Sequence, residues 1–227
     1  MKNLHTHITL SEGIVFDLDG TLLHTEPDIR LAINGALKSC GFDQLDDAIT
    51  LPNLHGTLPE ILSAAMKVIG APESSIFDVM RHYNKHYVKQ AHSNSVLYPG
   101  VYELLSYLDS IDIALGVCTN KDEVAARQAL EKTSILKFFT CVTGGDTTAY
   151  AKPHSMPLLH TLKIMDVLPK KSLLIGDTHV DALCAQQSKI SFIHFQNGYG
   201  NSVHENYPCI GYFSDYIELL NAKDMYE

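Results

Sequence analysis

The sequence predicts an α/β protein, a doubly wound parallel sheet with an all-helical segment inserted after its first strand. Three observations carry this expectation. Apolar, strand-like runs alternate with amphipathic helical stretches through residues 96–195, the pattern of right-handed crossovers in a parallel sheet covered by helices on both faces. Residues 25–92 hold three helical patterns and almost no strand signal. The single strand-like run Ile14-Val15-Phe16 precedes them, and a lone strand has to join the later sheet to bury itself. The expected division is a first core part over 1–24, a helical cap over 25–92 and a second core part over 93–227. An insertion after the first strand would emerge at that strand's C-terminal edge.

In chain order, Ile14-Val15-Phe16 is β-branched and aromatic and ends in the turn signal Asp17-Leu18-Asp19-Gly20-Thr21. Glu26-Pro27-Asp28 opens a helix with acids and a proline in its first turn. Ile29, Ala32, Ile33, Ala36 and Leu37 form its apolar face, and Gly41 stops it. Thr57-x-x-Glu60 is a capping-box pattern for a second helix with the stripe Ile61, Leu62, Ala65, Met66 and Ile69. A third starts near Ser75 and carries Val79, Met80, Tyr83 and Tyr87. After the turn Tyr98-Pro99-Gly100 come a helix (Val101, Leu104, Leu105, Leu108) and a strand over 111–118 ending in Thr119-Asn120. Then follow a helix over 122–132, a strand over 138–143 and a helix over 155–166. A strand over 172–175 ends in Gly176-Asp177, followed by a helix to about Ser188, a strand over 190–195 and a short helix carrying Tyr216 to Leu220.

Composition narrows the function. The formal net charge of −9 argues against nucleic acid or an anionic membrane as partner. No apolar run reaches membrane-spanning length, and Met1 to His7 lack the apolar stretch of a secretory signal, so a cytoplasmic protein is expected, a monomer or homodimer. The five cysteines form no Cys-x-x-Cys pair and read as buried reduced thiols.

Parallel strands bring their C-terminal ends to one edge. Asp17 and Asp19, Thr119 and Asn120, and Asp177 therefore converge there, and Lys152, held extended before Pro153, joins them. A buried strand ending in two acids needs a compensating partner. These are the groups phosphoryl transfer requires: a carboxylate to attack phosphorus, a second to move the proton of the leaving oxygen, hard oxygens suited to Mg²⁺, and a hydroxyl, amides and a lysine for phosphate charge.

Four motifs in this order resemble those of the haloacid dehalogenase-like superfamily: Asp17-Leu18-Asp19-Gly20-Thr21, Thr119-Asn120, Lys152-Pro153 and Gly176-Asp177-x-x-x-Asp181. The resemblance implies a Rossmann-like core with a C1 cap. It implies Asp17 as nucleophile, Asp19 as general acid and base, Thr119 and Asn120 as phosphate-binding residues, and Lys152 steadying nucleophile and phosphate. It further implies Mg²⁺ held by Asp17, the Asp19 carbonyl and Asp177, with Asp181 orienting Lys152 or a metal-bound water. Asp19 and Asp177 distinguish a phosphatase from a dehalogenase, which needs neither metal nor leaving-group acid. Thr21 to Ile29, Tyr98-Pro99-Gly100-Val101, Thr119-Asn120-Lys121, Gly144-Gly145-Asp146 and Gly198-Tyr199-Gly200 are similar to bacterial phosphoglycolate phosphatases. His24, Thr178, Val180 and Ser188-Lys189 depart from that family's usual residues, and none removes a group the mechanism needs. The expected substrate is a small phosphorylated metabolite, 2-phosphoglycolate first. Sugar phosphates, nucleotides and pyrophosphate stay open as substrates, as do a phosphomutase and a non-catalytic domain that binds phosphate ligands.

Other residues have plainer readings. Asp181 is otherwise an exposed helix acid and Lys152 a surface lysine. His82 and His86, at i and i+4, read as a solvated helix face before a metal pair. His24 and His179 read as supporting residues near the site. His55 and Gly56, in the loop before the second helix, are candidate substrate contacts of the cap.

Overall fold

A computed structural model describes residues 4–200 and 202–220. In chain order the elements are α1 (Leu4–Thr9), β1 (Gly13–Phe16), β2 (Leu23–His24), α2 (Glu26–Ser39), α3 (Leu58–Val68), α4 (Ile76–Gln90), β3 (Val96–Leu97), α5 (Val101–Ser110), β4 (Ala114–Cys118), α6 (Glu123–Lys132), β5 (Cys141–Thr143), α7 (Ser155–Met165), β6 (Ser172–Gly176), α8 (His179–Ser188), β7 (Ser191–Phe195), α9 (Val203–Asn206) and β8 (Gly211–Phe213). The chain divides into two compact units, residues 1–24 with 97–227, and residues 25–96.

The first unit is built on a six-stranded sheet of order β5-β4-β1-β6-β7-β8, with every neighbouring pair parallel. The strands are apolar on both faces, as a doubly covered parallel sheet requires. Their alternation sorts the two cores. Ile14, Phe16, Leu115, Val117, Leu173, Ile175, Ile193 and Phe195 pack on one face with Leu104, Leu105 and Leu130 from α5 and α6. Val15, Cys118, Leu174 and Phe192 point the other way, against Leu158 and Leu162 of α7 and Ala182 and Ala185 of α8. Full burial of a side chain such as Phe16 contributes about 2–3 kcal/mol. The chain runs from β1 to β4 and β5, then returns to β6 and proceeds outward the other way. That reversal beside β1 is where such sheets open a crevice at the strands' C-terminal ends.

Three differences from the sequence expectation have local causes. Residues 138–143 give a strand only over Cys141–Thr143, because Leu136–Phe138 close a 3-10 turn that packs Phe138 into the core. β8 extends the sheet by a sixth strand that no pattern announced. Three residues beginning with Gly211 are too short to show an alternation, and pairing with Ile193, His194 and Phe195 is what orders them. Residues 216–219 form a 3-10 turn capped by Asp215 rather than an α-helix.

The second unit consists of α2, α3 and α4. Thr57 and Glu60 form the expected capping box, the Thr57 amide donating to Glu60 Oε2 at 2.7 Å. The unit ends at Val96 rather than at residue 92. Asp28 of α2 is fully buried and accepts from the Asn94 amide and carboxamide and, at 2.7 Å, from the Ser95 hydroxyl. A buried carboxylate must find donors, and these donors tie residues 93–96 to α2.

His86 is half-buried on a helix that exposes Arg81, Asn84, Lys85 and Lys89. Its Nε2 lies 3.0 Å from Ser39 Oγ, and a Cβ added at Gly35 would sit 2.7 Å from its Nδ1. Glycine in a helix interior ordinarily costs about 1 kcal/mol against alanine. Here it is the seat of the His86 ring, so Gly35→Ala is expected to lower stability by about 1–2 kcal/mol instead of raising it. Urea midpoints of the two proteins check this, and a gain would show that the ring relocates freely.

Among the described residues no helix is long and apolar enough to cross a membrane. All five cysteines are free thiols, three of them buried.

Candidate active site

The register of the sheet assembles the site. Phe16 is level with Val117 on one side and Ile175 on the other. The next residues, Asp17, Cys118-Thr119 and Gly176-Asp177, therefore leave their strands side by side. Asp17 is still tied into the ladder, its amide donating to the Ile175 carbonyl at 2.9 Å. The chain then turns sharply. The Gly20 amide donates to the Leu23 carbonyl at 2.8 Å, and Gly20 has φ +86°. A Cβ there would meet Asp177 Oδ2 at 2.5 Å, so both backbone and space call for glycine.

Lys152 reaches the end of β1 from the segment before α7. Its Nζ lies 2.8 Å from Asp17 Oδ1 and 2.6 Å from Asp181 Oδ1, and the side chain is 2% exposed. Burial opposes its charge, but Asp17 and Asp181 outweigh burial and hold the ammonium well above its ordinary range. It is not a surface lysine. Asp181 is likewise fully buried. Its second oxygen accepts from the amide and hydroxyl of Thr178, at 3.0 and 2.7 Å, as the capping box of α8. Thr178 thus provides the cap, and Asp181 is held rigidly against Lys152.

Asp177 is also fully buried. Oδ1 accepts from the Thr21 hydroxyl at 2.6 Å and Oδ2 from the Tyr199 amide at 2.6 Å. Tyr216 in turn donates to the Thr21 carbonyl at 2.9 Å, so the C-terminal segment braces the first turn. Oxygens of Asp17, Asp177 and Asp181 lie within 4.8 Å of one another. Burial pushes the Asp17 carboxyl up to about 7, with Lys152 pulling it down and Asp181 and Asp19 adding to the rise. Burial, then Asp17 and Asp181, raise Asp177 well above the carboxylate range. Burial first, and then the neighbouring carboxylates, raise Asp17 and Asp177, while Asp17 and Asp181 raise Lys152 against its burial.

Asp19 points to a different cation. Lys121 Nζ contacts both its oxygens, at 2.9 and 3.0 Å, with the two side chains 8% and 12% exposed.

The Asn120 carboxamide brackets the Lys152 backbone. Its Oδ1 accepts from the Lys152 amide at 2.9 Å and its Nδ2 donates to the Lys152 carbonyl at 3.0 Å. These two bonds position the lysine backbone. Thr119 is 2% exposed, and its hydroxyl accepts from the Lys121 amide at 3.2 Å.

His24 packs edge-on against Tyr98 and Tyr199, and His179 stacks on Tyr207. Neither belongs to the acidic cluster. His55 and Gly56 lie in the second unit, where the Gly56 amide closes a turn onto the Asn53 carbonyl at 2.9 Å. Thr21, Tyr199 and Lys121 are the site residues to which the sequence pattern assigned no role. All three stand inside motif segments, Asp-x-Asp-Gly-Thr, Gly-Tyr-Gly and Thr-Asn-Lys, which is the signal that pointed to them.

A parallel α/β sheet with Asp17 and Asp177 at the ends of adjacent strands and a buried lysine against Asp17 and Asp181 is the setting of a hydrolase. The sequence pattern of the haloacid dehalogenase-like hydrolases matches residues 14–195, and the chain belongs to that family. Its relatives are phosphoric monoester hydrolases over most of its length. It is 32% identical to a phosphoglycolate phosphatase of Cereibacter sphaeroides, covering 91% of this chain and 95% of that protein. It is 31% identical to one of Colwellia psychrerythraea, covering 92% and 96%. Among solved structures it resembles one described as a predicted phosphoglycolate phosphatase from Haemophilus somnus, with TM-score 0.82 and 26% identity over 92% of this chain and 96% of that one.

Proposed function

We propose that this chain is a Mg²⁺-dependent phosphatase that hydrolyses a small phosphate monoester, 2-phosphoglycolate, through an aspartyl phosphate on Asp17. The observation that carries the reading is the Lys152 ammonium 2.8 Å from Asp17 Oδ1, which steadies one carboxylate at the open end of β1 for attack. The names of the relatives favour 2-phosphoglycolate as the ester.

A carboxylate oxygen of Asp17 attacks phosphorus and the ester P–O bond breaks. Asp19 gives its proton to the leaving oxygen, so the alcohol departs neutral. Asp19 then takes a proton from water, whose oxygen attacks phosphorus, and the acyl phosphate bond breaks to release phosphate and free Asp17. The Thr119 hydroxyl and the main chain at Asn120 bind phosphate oxygens. Lys152 compensates charge on nucleophile and phosphoryl group, and Asp181 holds Lys152. His55 and Gly56 are the cap's proposed contribution to substrate contact.

The donor set fits a hard divalent cation. Asp17 and Asp177 are buried carboxylates raised first by burial and then by neighbouring acids, and hard carboxylate oxygens suit such an ion. They and the Asp19 carbonyl would hold Mg²⁺, which supplies charge for the phosphoryl oxygens. Asp181 bonds to the Lys152 ammonium and orients it.

A pH dependence follows. In the metal-free protein, carboxyls raised on folding keep protons that the unfolded chain has already lost. The contribution of Asp17 to stability is complete at low pH and disappears as pH rises through about 7. Mg²⁺ binds the deprotonated groups. The Mg²⁺-induced rise in melting temperature is therefore expected to be larger at pH 8 than at pH 6, with affinity changing up to roughly tenfold per pH unit for one displaced proton. Thermal unfolding with Mg²⁺ and with chelator checks this, and an increment independent of pH would remove Asp17 and Asp177 from the metal shell.

The direct test is phosphate release from 2-phosphoglycolate, sugar phosphates, nucleotides and pyrophosphate, with Mg²⁺ and with chelator. A magnesium-dependent preference for 2-phosphoglycolate establishes class and substrate. A preference for another ester keeps the chemistry and changes the substrate, and no turnover on any ester ends the proposal.

A further inference from the structure

We infer that Lys121 reads a negative charge on the leaving group, and so selects esters whose departing alcohol carries an anionic substituent. This deepens the proposed function and rests on it.

The two lysines of the site take different carboxylates. Lys152 bonds to the nucleophile Asp17 and to Asp181, and the charges that bear most on Asp17 are those of Lys152, Asp181 and Asp19. Lys121 instead contacts both oxygens of Asp19, the residue that protonates the leaving oxygen. Asp19 touches the ester oxygen in the reaction, so whatever that oxygen carries lies beside Asp19 and within the reach of Lys121. Lys152 and the proposed Mg²⁺ face the carboxylates of Asp17, Asp177 and Asp181 and the phosphoryl oxygens, so a second anion on the substrate needs a further cation to face it. With Lys152 engaged on the nucleophile side, Lys121 is the cation placed for that task. In 2-phosphoglycolate the carboxylate is attached to the carbon that bears the ester oxygen, which is this position. The lysine side chain is flexible and point-charged, so it can lean from Asp19 toward such a group without leaving it.

The same geometry admits a narrower role, in which Lys121 only orients Asp19. The two roles separate with a matched pair of substrates. 2-Hydroxyethyl phosphate has the skeleton of 2-phosphoglycolate with a hydroxymethyl group in place of the carboxylate, and both need a proton on a primary alkoxide. The measurement is kcat/KM for both esters, with Mg²⁺, in the wild-type enzyme and in Lys121→Met, Lys121→Gln and Lys121→Arg, with thermal unfolding to confirm that each variant is folded. Two neutral variants are used so that the result does not hang on one protein's folding.

Removing a charge-assisted hydrogen bond from a partly desolvated site corresponds to roughly a 10- to 100-fold change. The wild-type enzyme is expected to prefer 2-phosphoglycolate. Lys121→Met and Lys121→Gln should lower that preference by about this factor, chiefly through KM, and Lys121→Arg should keep most of it. Equal losses on both esters would overturn the inference and leave Lys121 as an orienting residue for Asp19. So would a wild-type enzyme that turns over both esters equally, with the phosphatase reading intact. A wild-type enzyme inactive on both, but active on other esters or on none, would overturn the proposed substrate itself and this inference with it.

Discussion

The Asp17→Asn enzyme is expected to lose at least about 10⁴-fold in kcat on every ester the wild-type protein hydrolyses. A carboxamide oxygen cannot form the acyl phosphate, and no other carboxylate is placed to replace it. Asp177 is engaged by Thr21 and Tyr199, Asp181 by Thr178 and Lys152, and Asp19 by Lys121. The fold should persist. Burial holds the Asp17 carboxyl at about 7, so the folded protein already tolerates a neutral group there, and Lys152 keeps Asp181. Phosphate release together with trapping of a phosphoenzyme measures this. Turnover within tenfold of wild type would remove Asp17 as nucleophile.

Lys152→Met is expected to act on stability and activity together. It removes the shared partner of two buried carboxylates, and breaking a buried ion pair from one side costs about 3–5 kcal/mol. In a chain of this size that lowers the melting temperature by on the order of 10 °C. The loss should shrink at acid pH. Without the ammonium nothing pulls the raised Asp17 carboxyl down, and it relieves its repulsion with Asp181 by binding a proton more readily at pH 5.5 than at pH 8. Activity should be abolished at both. A melting-temperature difference that is the same at the two pH values would mean that the carboxylates are compensated by something other than Lys152.

Much of this protein is readable from the chain alone. Apolar runs ending in polar pairs located β1, β4 and β6, because a strand buried on both faces tolerates polar residues only where it leaves the sheet. Parallel pairing then brought Asp17, Thr119 and Asp177 to one edge without any knowledge of the register. The helical texture of residues 25–92 came through by the same periodicity argument, and the capping signature at Thr57 and Glu60 is a local interaction written in adjacent residues. Lys152 was readable for a related reason: Pro153 and the inter-strand position constrain where it stands.

What only the tertiary structure decided is which partner each polar group takes. The Asn120 carboxamide takes both backbone groups of residue 152, which arrives from another crossover. Asp28 and Ser95 are 67 residues apart, and their 2.7 Å bond moves the end of the helical unit to residue 96. β8 has no pattern of its own and exists because β7 presents an open edge. Lys121 follows Asn120 in sequence, yet its partner Asp19 lies 102 residues away. Periodicity and turn chemistry act between neighbours and are written in the chain. The pairing of a charge, a carboxamide or a strand edge depends on what the fold brings to it from elsewhere.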